Sequence, residues 1–188
     1  MKNLLIKNRN TSYLQYISIF LISLMLFGCF SVKPSTTKSG KNYFETFYVG
    51  EAGTQYFITP IYFNNDALNE GILFDITFRH KNEIKDTATV NFSITSSSIY
   101  KTIDSIKISN KDFEIKNDKL VLLFNEKNKT GFTSRYTTKI SLKQIKEIFD
   151  NGTWEIIVYS QNKSINFIPD IKTIKRINTI KDRVFILM

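Results

Sequence analysis

Residues 71–80 read Gly-Ile-Leu-Phe-Asp-Ile-Thr-Phe-Arg-His, and their second half alternates. Phe74, Ile76 and Phe78 are apolar; Asp75, Thr77 and Arg79 between them are polar. Side chains on a strand point to opposite faces with period two, so this run buries one face and wets the other. Residues 87–95 repeat the pattern, with Val90, Phe92 and Ile94 set against Asn91 and Ser93. Working outward, residues 43–49 are aromatic-rich and stop at Gly50-Glu-Ala-Gly53, a turn segment. Residues 55–64 extend again. Pro60 marks an edge strand or a bulge there, because proline has no N–H to give a ladder. Residues 64–71 read as a polar loop. Further strands are expected at 103–108 and 132–140. Residues 113–116 and 119–124 flank Asn117-Asp118 and read as a tight hairpin, since both residues tolerate the positive φ of two-residue loops. Residues 154–160 and 164–168 form a second hairpin across Gln161-Asn162 on the same reasoning.

Two helices interrupt the strands. Ser141 caps a helix through Asp150, with Leu142, Ile145, Ile148 and Phe149 as its apolar stripe and Asn151-Gly152 as its stop. Ile171, Ile174, Ile177 and Ile180 recur every three residues, which fits a short amphipathic helix packed on a sheet. Residues 184–188 are a last strand-like run, expected to pair within a sheet. Eight to ten short strands make the chain mainly β. The architecture expected is a two-sheet β-sandwich, immunoglobulin-like in arrangement, with one or two short helices. The Cys–Trp–Cys core pattern of antibody domains is absent. A lipocalin-like β-barrel is the alternative.

The N-terminus carries a different signal. Lys2, Lys7 and Arg9, with no acid among them, precede an apolar run over 16–27. The run ends at Leu26-Phe27-Gly28-Cys29, and Cys29 is the only cysteine. The run is shorter than the roughly 20 residues of a spanning helix and has the length of a signal-peptide core. The segment resembles the lipobox of bacterial lipoproteins, whose cysteine takes a diacylglyceryl thioether and fatty acyl chains such as palmitate. The resemblance implies a signal peptide at 1–28 and a lipidated Cys29; with the composition and strand pattern that follow, the organisation expected is a lipidated Cys29 and flexible tether over 29–42 and a β-sandwich domain at 43–188. Residues 30–41 are polar and low in complexity, as a tether would be. A rival reading leaves residues 13–32 uncleaved as a membrane span. Some Gram-negative lipoproteins carry acids after the cysteine as a cue for surface display. None follows Cys29, so a periplasm-facing outer-membrane lipoprotein is expected, with the cell surface and the inner membrane as alternatives.

Composition narrows the functions further. The chain has 26 basic and 17 acidic residues. Residues 1–28 hold three of the bases and no acid, so the remainder carries 23 against 17, or +6. The lysines are scattered, and no nucleic-acid-reading motif accompanies them, so a nucleic-acid partner is not expected. His80, the sole histidine, has no nucleophile motif beside it, and one histidine without a free thiol makes a poor zinc site. Asp75 and Glu155 are the acids worth inspecting for paired-carboxylate hydrolysis. The loop at 64–71 gathers oxygen ligands but lacks calcium-loop spacing. No metal and no cofactor are expected, and Trp154 is expected to pack on the 142–149 stripe. Tyr43, Tyr48, Tyr56 and Tyr62, with Phe47 among them, form a recognition patch if they face outward. The function expected is a non-enzymatic, lipid-anchored envelope module, binding or structural, with an envelope protein or glycan as partner. A carbohydrate- or lipid-binding module is the alternative, and a hydrolase comes third. A bare strand edge over a filled core would favour a protein partner; an apolar lumen or flat aromatic platform would favour a ligand.

Overall fold

In a computed structural model the alternating runs pair into two antiparallel sheets. The structure describes residues 43–81 and 87–188; the signal segment, Cys29 and the tether at 29–42 lie outside the described residues. The strands are β1 (Phe44–Tyr48), β2 (Thr54–Asn65), β3 (Glu70–His80), β4 (Thr87–Ser96), β5 (Ser105–Asn110), β6 (Glu114–Asn117), β7 (Val121–Asn128), β8 (Gly131–Ser141), β9 (Trp154–Ser160) and β10 (Lys163–Phe167). One sheet runs β1-β2-β3-β4-β8-β7 and the other β10-β9-β5-β6. The result is a β-sandwich in which, among the described residues, both sheets have open edges. The barrel alternative is therefore set aside. The first four strands form a meander in one sheet, whereas an immunoglobulin sandwich sends its third strand to the opposite sheet. The sandwich is shared with that class; its connectivity is not.

The buried faces are the ones the alternation names. Phe74, Ile76 and Phe78 of β3 and Val90, Phe92 and Ile94 of β4 are buried; Phe74 faces Phe92, Ile76 faces Val90 and Ile94 faces Ile72 in register. Pro60 does not mark an edge, because β2 lies between β1 and β3. It sits in a bulge, where the β2–β3 register shifts between Ile58 and Ile61. The bulge resets the alternation, so Ile58, Ile61 and Phe63 are all buried. The polar loop expected at 64–71 shrinks to residues 66–69, with Asn69 at φ 53. The hairpin across Gln161-Asn162 forms, with both residues at positive φ, as such turns require.

Two expectations are corrected. Residues 113–116 and 119–124 do not form a hairpin. β6 pairs with β5 in the small sheet and β7 pairs with β8 in the large one, so Asn117-Asp118 begins a crossing between sheets. Burial decides this: Ile115 sits beside Ile108 in the core. The Asn110 side chain supplies the turn instead, accepting from the Asp112 and Phe113 amides at 2.9 and 2.7 Å. The crossing is fastened to β8: the Asn117 side-chain amide donates to the Lys139 carbonyl, and the Thr138 hydroxyl to that of Lys119. The second correction is the C-terminus. Residues 184–188 are not a strand. They continue the helix before them as a 3-10 turn at Phe185–Leu187. Val184 extends the helical spacing of Ile177 and Ile180, and Phe185 is buried against Phe78 and Phe149.

Helix α1 (Leu142–Asp150) buries Leu142, Ile145, Ile148 and Phe149, with Ser141 as its N-cap. Helix α2 (Ile171–Arg183) buries Thr173, Ile177 and Ile180 and leaves Ile171 exposed. The Asp170 carboxylate caps α2, accepting from the Thr173 amide at 2.7 Å. That bond, before all other causes, holds the Asp170 pKa below its ordinary 3.8. The folded chain thus keeps the proton off more readily than the unfolded chain. The cap's contribution is present above pH about 4 and is lost as pH falls through the lowered folded value. Asp170→Ala is expected to destabilise by about 1 kcal/mol at pH 7. The difference in Tm from the parent should shrink as thermal melts are taken to more acid pH.

Candidate contact surface

The four tyrosines singled out from the sequence do not share one face. On β2 the inward positions before the bulge are Tyr56 and Ile58, and after it Ile61 and Phe63. Tyr56 is therefore half-buried and stacks on Phe78 at 4.9 Å, with burial pushing its phenol pKa up. Tyr43 is half-buried under the guanidinium of Arg176, 5.2 Å from its ring centre. Burial lowers the Arg176 pKa. Tyr48 is 81% exposed at the end of β1, and Tyr62 is 48% exposed on the outer face of the large sheet. Phe57 shares that outer face and meets Phe47 edge to face at 5.6 Å. The Tyr62 ring covers Gly71, where a Cβ would stand 2.6 Å from it. Glycine is the residue that lets the ring lie down there.

The acids and the histidine are equally dispersed. Asp75 lies mid-sheet on the outer face of β3. It accepts from Arg135 at 2.8 Å and from Asn91 at 3.0 Å, while Arg135 also donates to Ser93 at 2.8 Å. Its charge is balanced by a cross-strand network spanning β3, β4 and β8. Glu155 is on β9 of the other sheet, accepting from Asn166 at 2.8 Å. His80 closes β3, its Nδ1 buried and without a hydrogen-bond partner among the described residues. The structure does not bring these three together. Among the described residues no group of histidine, cysteine, aspartate and glutamate is placed to hold a metal ion. At 64–71 the turn is closed by its own side chains, Asn64 donating to Asp66 and Asn65 accepting from the Leu68 amide.

A cleft of about 500 Å³ opens at one end of the sandwich, lined by Leu68, Glu70, Ile99, Tyr100, Lys101 and Lys163 among others. The Tyr100 hydroxyl donates to Glu70 at 2.8 Å. Burial, then the Glu70 carboxylate, push its pKa up, so Tyr100 stays protonated and keeps Glu70 as acceptor. The described interior is one continuous cluster of buried apolar side chains. Trp154 is buried among Phe63, Phe74 and Phe149, at ring distances of 4.9, 5.8 and 5.4 Å. It packs on the α1 stripe as expected.

Sequence reasoning missed the outer side of β7. Val121, Leu122, Leu123 and Phe124 are all exposed, on a strand whose free edge pairs with nothing among the described residues. An unbroken apolar run normally reads as a strand buried on both faces. Here both faces and one edge are open. No protein-family model matches this chain, and no curated protein matches it either.

Proposed function

We propose that this chain is a lipid-anchored, non-catalytic module of the bacterial cell envelope that works by contact with a protein. The reading is carried by Cys29, standing at the end of an apolar run behind a basic, acid-free flank. Two or more acyl chains hold a protein on a membrane stably, where one chain holds it only marginally. The choice of a protein partner is supported by the continuous apolar core and the bare apolar edge of β7 among the described residues. An open strand edge offers unpaired N–H and C=O groups to another chain. A second reading, a glycan or lipid ligand, is favoured by Phe47, Phe57, Tyr62 and Leu73, all exposed on the large sheet's outer face.

Cys29→Ser is the direct test. The parent chain, expressed in a Gram-negative host, is expected to stay with membranes through a carbonate wash and to show an acylated Cys29 by mass spectrometry. The variant is expected in the soluble fraction. A variant that still sediments with membranes would replace lipidation by an uncleaved span over residues 13–32.

A further inference from the structure

We infer that the cleft at the end of the sandwich binds a short acidic peptide segment of a partner protein, a carboxylate flanked by aliphatic side chains. The inference deepens the protein-contact reading above and rests on it. The cleft holds about 500 Å³, within the roughly 300–1,000 Å³ of ligand sites generally. Three connections meet there: the β2–β3 turn at 66–69, the β4–β5 link at 97–104 and the β9–β10 turn at Gln161-Asn162. The link is fixed in place at both ends. The Tyr100 amide donates to Ser134 at 3.1 Å, its carbonyl accepts from the Tyr136 hydroxyl at 2.8 Å, and its own hydroxyl donates to Glu70 at 2.8 Å. Further along, the Thr102 carbonyl accepts from Ser160 at 2.6 Å, and the Asp104 amide donates to the Tyr159 carbonyl at 2.8 Å. The link is thus fastened to β8 in the large sheet and to β9 in the small one. Walls that are already ordered spare a ligand the cost of ordering them.

The lining selects the ligand. Leu68 and Ile99 are 53 and 38% exposed at the cleft, where they leave apolar surface for aliphatic side chains to cover. Lys101 and Lys163 are exposed, and neither joins an ion pair among the described residues. Glu70 is held by the Tyr100 hydroxyl rather than by either lysine. A carboxylate has about four acceptor sites, so that one bond leaves Glu70 able to accept a peptide N–H. Two cations against one anion make the cleft complementary to an incoming carboxylate. The aliphatic lips favour a peptide over a sugar, which has no aliphatic side chain to place between them.

The test is an NMR titration of the full, isotope-labelled chain in detergent with the blocked peptide acetyl-Leu-Asp-Leu-amide. Saturable shifts are expected in the amides of residues 98–101 and 163–165. Acetyl-Leu-Asn-Leu-amide, which lacks the charge, and acetyl-Ala-Asp-Ala-amide, which lacks the aliphatic side chains, should each bind about fivefold more weakly. The double variant Lys101→Glu/Lys163→Glu should lose about tenfold or more for the aspartate peptide and gain binding of acetyl-Leu-Lys-Leu-amide, which the parent refuses. Unchanged melting curves show that the variant folds. An absence of saturable shifts, or binding indifferent to the lysine reversals, overturns the inference. The same shifts on adding glucuronic acid, with none from any peptide, overturn it too and assign the cleft to a sugar. If the peptides fail while an envelope protein is retained and released by Leu122→Lys, the cleft is not the contact and the contact reading stands. Charge-sensitive peptide binding by a chain with an unmodified Cys29 thiol would keep the cleft and remove the lipid anchor.

Discussion

Trp154→Ala is expected to lower the unfolding free energy by about 4 kcal/mol, the middle of the range for truncating a large buried aromatic. Trp154 opens β9 in the small sheet, yet its ring neighbours are Phe63 on β2, Phe74 on β3 and Phe149 on α1. Removing it opens a void where both sheets and a helix meet, and no single neighbour can close it without losing its own contacts. For a domain of this size, about 4 kcal/mol corresponds to a fall in Tm of roughly 8–16 °C. Urea unfolding of the parent and variant measures it directly. The indole N–H has no hydrogen-bond partner among the described residues, so Trp154→Phe discards that buried donor and most of the void together. It should lose far less than Trp154→Ala. Equal losses would mean that the ring is not what joins the layers.

Gly53→Ala is the second large effect. Gly53 sits at φ 89, ψ −150 between β1 and β2, a region that is essentially glycine's alone. Strain there is worth about 1–3 kcal/mol. A Cβ would also stand 2.4 Å from the His80 carbonyl oxygen and 2.9 Å from the Lys81 Cα, both backbone atoms that cannot swing aside. The sum, about 3 kcal/mol or more, should appear as lost stability and as faster amide exchange in β1. Gly50→Ala, three residues earlier, is the control. Its φ is also positive, at 60, but nothing lies within 4 Å of the added Cβ. It should lose only about 1 kcal/mol.

What could be read from the residues was whatever depends on near neighbours. The alternation of β3 and β4, the Ser141 cap and the Gln161-Asn162 turn each state their own structure within about ten residues. The crossing at 117–120 does not. Asn-Asp suits a hairpin as well as a link, and the choice is made by Ile115 docking beside Ile108, a contact that no turn chemistry encodes. The run at 184–188 was ambiguous in the same way, apolar enough for a strand and spaced well enough to extend a helix. The tyrosines divide on phase. Tyr56 and Tyr62 are six apart and would share a face on an unbroken strand, but the bulge at Thr59-Pro60 turns one inward and the other outward. Pro60 signalled a bulge; nothing local gave its effect on the strand beyond it. The exposure of β7 was invisible because it reflects where the small sheet ends.

The last helix has a consequence for how the molecule is made. Arg176 reaches back over Tyr43 and bonds Thr59, while Phe185 stacks on Phe78. A ribosome delivers β1 to β4 first, so the part of their inner surface that meets Phe185, Phe78 above all, stays uncovered until the last residues arrive. A nascent chain of this design is sticky for almost the whole of its synthesis. A stop codon just before Ile171 would leave Phe78 and Tyr43 without these contacts.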